Sequence, residues 1–205
     1  MSLAKEGLPF IVIPLVLASV LFILNRGFVT LPPAIILIVF SLFCVFFFRD
    51  PSIKINADEK FVLSPCNGTV MEVVEGETET VIRVFLSIFN VHLQRAPVRG
   101  RVLSVEHIPG SFLVASHPQA YLRNEQNVIT IESAHGVFVV RQIAGFLARR
   151  CVSYAGAGDE VGQGEKIGLI KFSSQVDLHV PKTVKVVIAR GDKVRAGITV
   201  FGETR

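Results

Sequence analysis

Two charge-free apolar runs stand almost back to back at the start of this chain, and they limit what the remainder can be. From Leu8 to Leu24, and again from Phe28 to Phe48, there is no Asp, Glu, Lys, Arg or His. The second run is long enough to cross a hydrocarbon core of about 30 Å as a helix, and the first sits at the lower limit. Pro9, Pro14, Pro32 and Pro33 fall near the starts of the runs, where a missing backbone donor does least harm. A helical hairpin turning at Asn25-Arg26-Gly27 follows, transmembrane or shallowly membrane-embedded, and either form returns both ends to one side. A secretory signal peptide competes for the first run because Lys5 precedes it. No small-residue cleavage site ends that run, however, and the second begins at once. Arg49, Lys54 and Lys60 follow the hairpin closely while the turn offers only Arg26. That bias predicts a cell-membrane protein whose remaining residues lie on the cytoplasmic side.

Of 205 residues, a membrane-anchoring hairpin over 1–50 leaves 51–205, enough for one domain of ordinary size. The formal charge of +4 suits a domain held against an anionic lipid surface. Without a pattern of stacking aromatics among basic residues, nucleic acid is not an expected partner. Three cysteines, with Cys44 inside an apolar run, make no disulfide framework, and Cys66 and Cys151 have no metal-ligand spacing with each other or with a histidine. No metal is expected.

After Asn56 the apolar residues come in short Val- and Ile-rich runs punctuated by Gly, Pro, Asp and Asn: 69–74, 81–86, 128–131, 137–143 and 184–189. These are strand signals. Leu113 to Glu125 and Gly145 to Tyr154 read as helical, so the domain is predicted to be mainly β. Two patterns recur within it. Pro65-Cys66-Asn67-Gly68-Thr69-Val70 is echoed by Pro97-Val98-Arg99-Gly100-Arg101-Val102, and Gly158-Asp159-Glu160-Val161 by Gly191-Asp192-Lys193-Val194. The nearly constant separations predict β-hairpin units related by a pseudo-twofold axis. The Gly-Asp-x-Val turns look like those in the flattened, sandwich-like barrel of biotinyl and lipoyl carrier domains, although Gly-Asp is also simply a good turn dipeptide. A carrier would need a lysine at a hairpin tip in a Met-Lys or Asp-Lys-Ala setting, and this chain has none.

No nucleophile elbow, phosphate loop, His-Glu-x-x-His or dinucleotide fingerprint is present. What stands out is an ordered set of segments. It runs Phe47-Phe48-Arg49-Asp50-Pro51, then Ser64-Pro65-Cys66-Asn67-Gly68, then Phe85 to His92 leading to Arg95-Ala96-Pro97. After these come Asn124-Glu125-Gln126-Asn127, Gln142 to Gly145 with Ala148-Arg149-Arg150, and Gly168 to Leu178. In this order they resemble the short form of phosphatidylserine decarboxylase, a family that includes archaetidylserine decarboxylases. The resemblance covers nearly the whole chain.

The resemblance implies a lyase made as a zymogen. Its chain is cut before a serine that becomes an N-terminal pyruvoyl cofactor, leaving a larger and a small chain. Matching the family's Phe-Gly-Ser-Arg-Val-Asp places that serine at Ser174 and the cut between 173 and 174. The Ser174 hydroxyl would attack the carbonyl of residue 173, and β-elimination would follow. The pyruvoyl carbonyl would then form a Schiff base with the serine headgroup and accept the electrons that carbon dioxide leaves behind, giving phosphatidylethanolamine.

Asn90 stands where the family usually has Asp, and two further departures bear on self-processing. Asn67 stands where the family has an Asp thought to help activate the serine, and an amide cannot accept a proton as a base. Ser173 stands where the family has Gly, which enters backbone conformations other residues reach only at a cost. Three readings stay open: an active enzyme, an uncut and catalytically silent headgroup-binding relative, and a copy altered by substitution. Asn67-Gly68 is also a pair prone to deamidation, which would restore a carboxylate.

His92, in a segment similar to the family's Asp-Val-His, is the candidate proton carrier near the substrate. Arg95, Arg149 and Arg150 are candidates for the lipid phosphate, which a guanidinium fork suits, or else ordinary surface charges. His107, His117 and His135 read as surface groups, while His179 and Asp177 could serve the cleavage segment or merely its strand. Diacyl and archaeal ether lipids are both compatible as substrate, and a homo-oligomer is left open.

Overall fold

The computed structural model describes residues 2–24, 27–113, 119–145, 150–171 and 174–204, with Ala120 and Ser174 described by their main chain alone. The chain divides into two units, Met1–Ser52 and Ile53–Arg205.

The first unit is a helical hairpin. Strands β1 (Ser2–Leu3) and β2 (Arg49–Asp50) pair antiparallel and tie its two ends together, helped by Ser2 donating to Asp50 Oδ2 at 2.8 Å. Helices α1 (Leu8–Leu24) and α2 (Leu31–Phe47) lie between them. With the short 3-10 turns that precede them they run 20 and 21 residues, each about 30 Å at 1.5 Å per residue. They meet through small side chains, Ala18, Ala34, Ser41 and Cys44, all buried, which lets the backbones approach. The Ser41 hydroxyl is shared between Leu37 O of its own helix and Ile11 O of the other, at 3.0 and 3.2 Å. Gly7 is required where the Phe48 ring packs, because an added Cβ would come within 2.5 Å of it. Large apolar side chains such as Phe22, Ile23 and Ile36 face outward. A surface of that kind suits lipid rather than water. Asn25 and Arg26, two of the three expected turn residues, lie outside the described residues.

The second unit is mainly β. Its strands are β3 (Phe61–Leu63), β4 (Gly68–Glu75), β5 (Glu79–Leu86), β6 (Leu93–Arg95), β7 (Gly100–Ile108), β8 (Gln126–Ser133) and β9 (Gly136–Ala144). They continue with β10 (Cys151–Ser153), β11 (Glu160–Val161), β12 (Lys166–Ile170), β13 (Ser174–Pro181), β14 (Val184–Val186), β15 (Lys193–Val194) and β16 (Val200–Thr204). One curled sheet has the order β11-β7-β8-β9-β13-β5-β4-β15, and two three-stranded sheets have the orders β10-β12-β6 and β14-β16-β3. Alternation along β5, where every second residue is buried, sends Ile82, Val84 and Leu86 into a core. Ile129, Ile131, Phe138, Val140, Val176, Leu178 and Phe201 complete that core.

The order of the large sheet reads the same from either end, and the hydrogen bonds repeat across its centre. Lys193 and Val194 pair with Thr69 and Gly68 as Glu160 and Val161 pair with Arg101 and Gly100. A register shift at Val70/Glu72 is matched by one at Val102/Ser104. Val70 N donates to Asp192 O at 2.9 Å, as Val102 N does to Asp159 O at 2.8 Å. The halves also cross-link reciprocally, Leu63 N to Pro97 O and Arg95 N to Pro65 O. The sequence repeats are therefore two copies of one hairpin unit, related by a pseudo-twofold axis between β9 and β13.

The helical expectations are corrected. Over 113–125 the described helix is only α3 (Ala120–Arg123). It stops because Asn124 turns inward, its Nδ2 donating to Leu113 O at 2.8 Å and to Ala144 O. Within 145–154, Cys151–Ser153 is a strand, since pairing with Gly168–Ile170 satisfies its main chain; residues 146–149 lie outside the described set. The strand expected over 184–189 is regular only to Val186.

Candidate active site

Strand register assembles the site. Ser174 opens β13 opposite Leu86, the last residue of β5, and opposite Ala144, the last of β9. Thr69, near the start of β4, pairs with Phe85, so Asn67 and Gly68 reach the same end of the sheet two strands from Ser174. The loop from Ser87 to His92 leaves this end as well.

His92 is completely buried, and its Nδ1 lies 3.0 Å from Asn90 O. A carbonyl only accepts, so Nδ1 carries the proton and Nε2 is the basic nitrogen of the neutral ring. The His92 carbonyl accepts from Ile170 N at 3.2 Å and from Gln94 Nε2 at 2.8 Å. Ile170 ends β12, so the imidazole is anchored to the strand that leads toward Ser174.

Gln94 belongs to a buried amide chain. Gln142 Nε2 donates to Gln94 Oε1 at 2.7 Å, Asn127 Nδ2 to Gln142 Oε1 at 3.3 Å, and His107 Nδ1 meets Asn127 Oδ1 at 2.9 Å. Fully buried amides of this kind specify one arrangement when each is satisfied. Here they hold β6, and with it the residue next to His92.

Asn67 is half-buried, and its Oδ1 accepts from Ala196 N at 2.8 Å. A carboxylate would accept the same contact, whereas an amide cannot take up a proton as a base. Ser173 lies outside the described residues, as do Arg149 and His117. Arg150 is exposed, and its carbonyl accepts from Lys171 N at 3.3 Å, bringing the start of β10 beside the approach to Ser174. Arg95 Nη1 donates to Gly164 O at 2.8 Å in the turn between β11 and β12.

Asp177 is 1% exposed. It accepts from Gln175 Nε2 at 2.6 Å, and Arg83 Nε lies 3.5 Å from its other oxygen. Burial pushes its pKa up, against the Gln175 hydrogen bond and the charges of Arg83, Arg141 and His179, which lower it. Glu72, Arg83, Asp177 and Arg141 stand opposite one another on four adjacent strands, a ladder of alternating charge that seats β13. Arg83 also donates to Glu72 at 2.7 Å and lies 4.0 Å from the Tyr121 ring centroid. Sequence reasoning missed Arg83 and Arg141. Their signal was a lone cation within each of two Val- and Ile-rich strands.

His179 pairs with Glu79 at 2.8 Å, His107 is exposed, and His135 lies half-buried in the β8–β9 turn. Burial pushes the Cys66 thiol up, and it pushes that of Cys151 to about 12 with help from Glu125. Both thiols therefore stay protonated and are poor nucleophiles. Among the described residues no group of three or more His, Cys, Asp and Glu could hold a metal.

Fold and candidate site define a mainly β protein in which Ser174, Asn67 and the loop to His92 gather at one end of a pseudo-symmetric sheet. A family model described as phosphatidylserine decarboxylase matches residues 40–202. Relatives named phosphatidylserine decarboxylase proenzyme are 40% identical in Geobacter metallireducens and in Geotalea uraniireducens, and 39% identical in Geobacter sulfurreducens. In each case 98% of this chain and 95% of the relative are covered. The chain belongs to the phosphatidylserine decarboxylase family, whose members are lyases made as proenzymes, and it is a decarboxylase rather than a carrier domain.

Proposed function

We propose that this chain decarboxylates phosphatidylserine to phosphatidylethanolamine at the cytoplasmic face of a membrane, after cutting itself between Ser173 and Ser174. The observation that carries the reading is His92, a buried imidazole with a defined basic nitrogen, tied through its own carbonyl to the strand that runs toward the cut. With an amide at position 67, His92 is the base that takes the Ser174 hydroxyl proton as that oxygen attacks the carbonyl of residue 173. The attack breaks the 173–174 amide and leaves an ester. β-Elimination expels the 173 carboxylate and so separates a larger chain ending at 173 from a small chain beginning at 174. Water then hydrolyses the enamine left at 174 to a ketone with release of ammonia. The residues fit the pyruvoyl group this would generate, because the main chain of residue 174 is held between two strands and the His92 imidazole is anchored to the strand that leads to it. When formed, the group supplies a carbonyl that binds an amine and accepts an electron pair. His92 then holds a proton close to the reacting carbon, and the charge ladder through Asp177 keeps β13 in register. The apolar hairpin of residues 1–50 holds the domain, residues 51–205, where a bilayer-borne substrate arrives by lateral diffusion, and exposed Arg150 meets its headgroup.

The test is intact mass under denaturing conditions. Two chains meeting at 173/174, the smaller with a blocked pyruvoyl end, are expected. A single species near 22.5 kDa would sink the reading and leave a headgroup-binding protein without cofactor. In the second case Asn67→Asp and Ser173→Gly, made separately, would identify the silencing position.

A further inference from the structure

The pseudo-twofold axis gives the domain two equivalent clefts, and their linings differ in charge. The cleft at the Ser174 end, about 420 Å³, is lined by Asn67, Thr69, Phe85, Ser87, Asn90, Lys193 and Arg195 among others, with no carboxylate. Its counterpart at the opposite end, about 530 Å³, mixes Arg99 and Arg101 with Glu59, Glu132 and Glu160. Lys193 occupies the place that Glu160 holds there, since each pairs with the residue following the close-packed glycine.

We propose that Lys193 and Arg195 form the subsite for the phosphodiester of the lipid substrate. The inference rests on the decarboxylase reading and names where that substrate's anionic group sits. Both side chains are exposed, and no ion pair engages either among the described residues. Neighbouring Asp192 is occupied, its Oδ2 accepting from Ala189 N at 2.8 Å. The oxygens of the two lining amides both accept from the protein's own groups. Asn67 Oδ1 accepts from Ala196 N, and Asn90 Oδ1 accepts from Ser87 N and Oγ, each at 2.9 Å. The amide N–H groups remain to be donated, and with the Thr69 hydroxyl they make the lining two cations with neutral donors beside them, the chemistry that recognises a phosphate oxygen.

The reach also fits. Lys193, Thr69, Phe85 and Gln175 stand opposite one another on consecutive strands, so the lysine main chain lies about 14 Å from that of Gln175, next to Ser174. An extended lysine or arginine side chain reduces that gap to the span of a phosphoserine headgroup, with the amine at residue 174 and the phosphodiester at the cations.

The test titrates glycerophosphoserine, the headgroup without acyl chains, onto the full chain in detergent. The chain is used as wild type, as Lys193→Ala/Arg195→Ala, and as Arg99→Ala/Arg101→Ala in the counterpart cleft. The first double variant is expected to weaken binding at least about tenfold, and the second to leave it unchanged. On vesicles containing phosphatidylserine the first should raise KM while kcat and the cut at 173/174 stay as in wild type, and Lys193→Arg should restore most of the affinity. Unchanged binding in the first variant, or equal loss in both, overturns the proposal. So does inorganic phosphate competing as well as the headgroup, which would assign the cleft to a free anion. If the wild type neither cuts nor decarboxylates, the functional reading fails, and the titration still decides the subsite.

Discussion

The two halves of the large sheet share register, bulges and turns, yet they carry different groups at their corresponding ends, and the proposed chemistry belongs to one of them. At the end of β5 a loop leads to a buried imidazole, and β13 opens with Ser174. At the matching end of β8 a tight turn at Gly136 leads straight into β9. His92 precedes β6 as Lys60 precedes β3, and Asn67 sits where the other copy has Arg99. The repeated backbone is a shared scaffold, and in the proposed reading a few side chains and one loop in a single copy supply the function.

The sharpest way to break that contrast is to remove the imidazole from one half and its counterpart from the other. His92→Ala should slow self-cutting by about 10²–10⁴-fold, read by intact mass over time, whereas Lys60→Ala should leave the rate alone. Equal effects would mean that His92 is structural.

Next come the paired glycines, where the halves should behave alike in stability and differently in activity. A Cβ at Gly68 would collide with Phe85 O, and one at Gly100 with Glu132 O. Gly68→Ala and Gly100→Ala should each cost about 3 kcal/mol, the upper end for overpacking against backbone, measured by thermal unfolding of the whole chain. Only the first should also slow decarboxylation in the protein that remains folded.

A smaller loss is expected from Gln142→Leu, which leaves the amides of Gln94 and Asn127 without their shared partner inside the core. About 2 kcal/mol should disappear, together with part of the activity, because β6 supports His92. Gln163→Leu, in the turn between β11 and β12 and far from His92, should spare activity; if it does not, the amide chain has no special link to the site.

The smallest effect concerns pH. Burial raises the Asp177 pKa above the ordinary aspartate value of about 3.9, so the folded protein binds that proton more tightly than the unfolded chain. The stability it contributes is complete below about pH 4 and is lost as pH rises through the native value. Asp177→Asn removes this titration, so wild type should lose stability relative to the variant from about pH 4 upward. A parallel pair of stability curves would show that the Arg83 and Arg141 charges fully offset burial.

Much of this was written along the chain because it depends on local pattern. Charge-free runs predict helices for a bilayer, since any charge within them would carry a large desolvation cost. The Pro-x-x-Gly and Gly-Asp-x-Val repeats predicted the duplicated hairpins, since tight turns and close backbone approach demand those residue types at those spacings. Ser174 is proposed from its neighbours in sequence alone. Other features exist only once distant strands meet. Arg95 reaches Gly164 O across the fold, and Lys193 and Arg195, distant in sequence from Asn67 and Asn90, line one cleft with them. The segment 151–153 turned out to be a strand because its partner lies at 168–170, and a short apolar stretch does not record which partner will satisfy its main chain. Asp177 and Arg83 are far apart in sequence and become neighbours only through register, as does the choice of which half of the sheet carries the site. Register is a property of paired strands, and no single strand contains it.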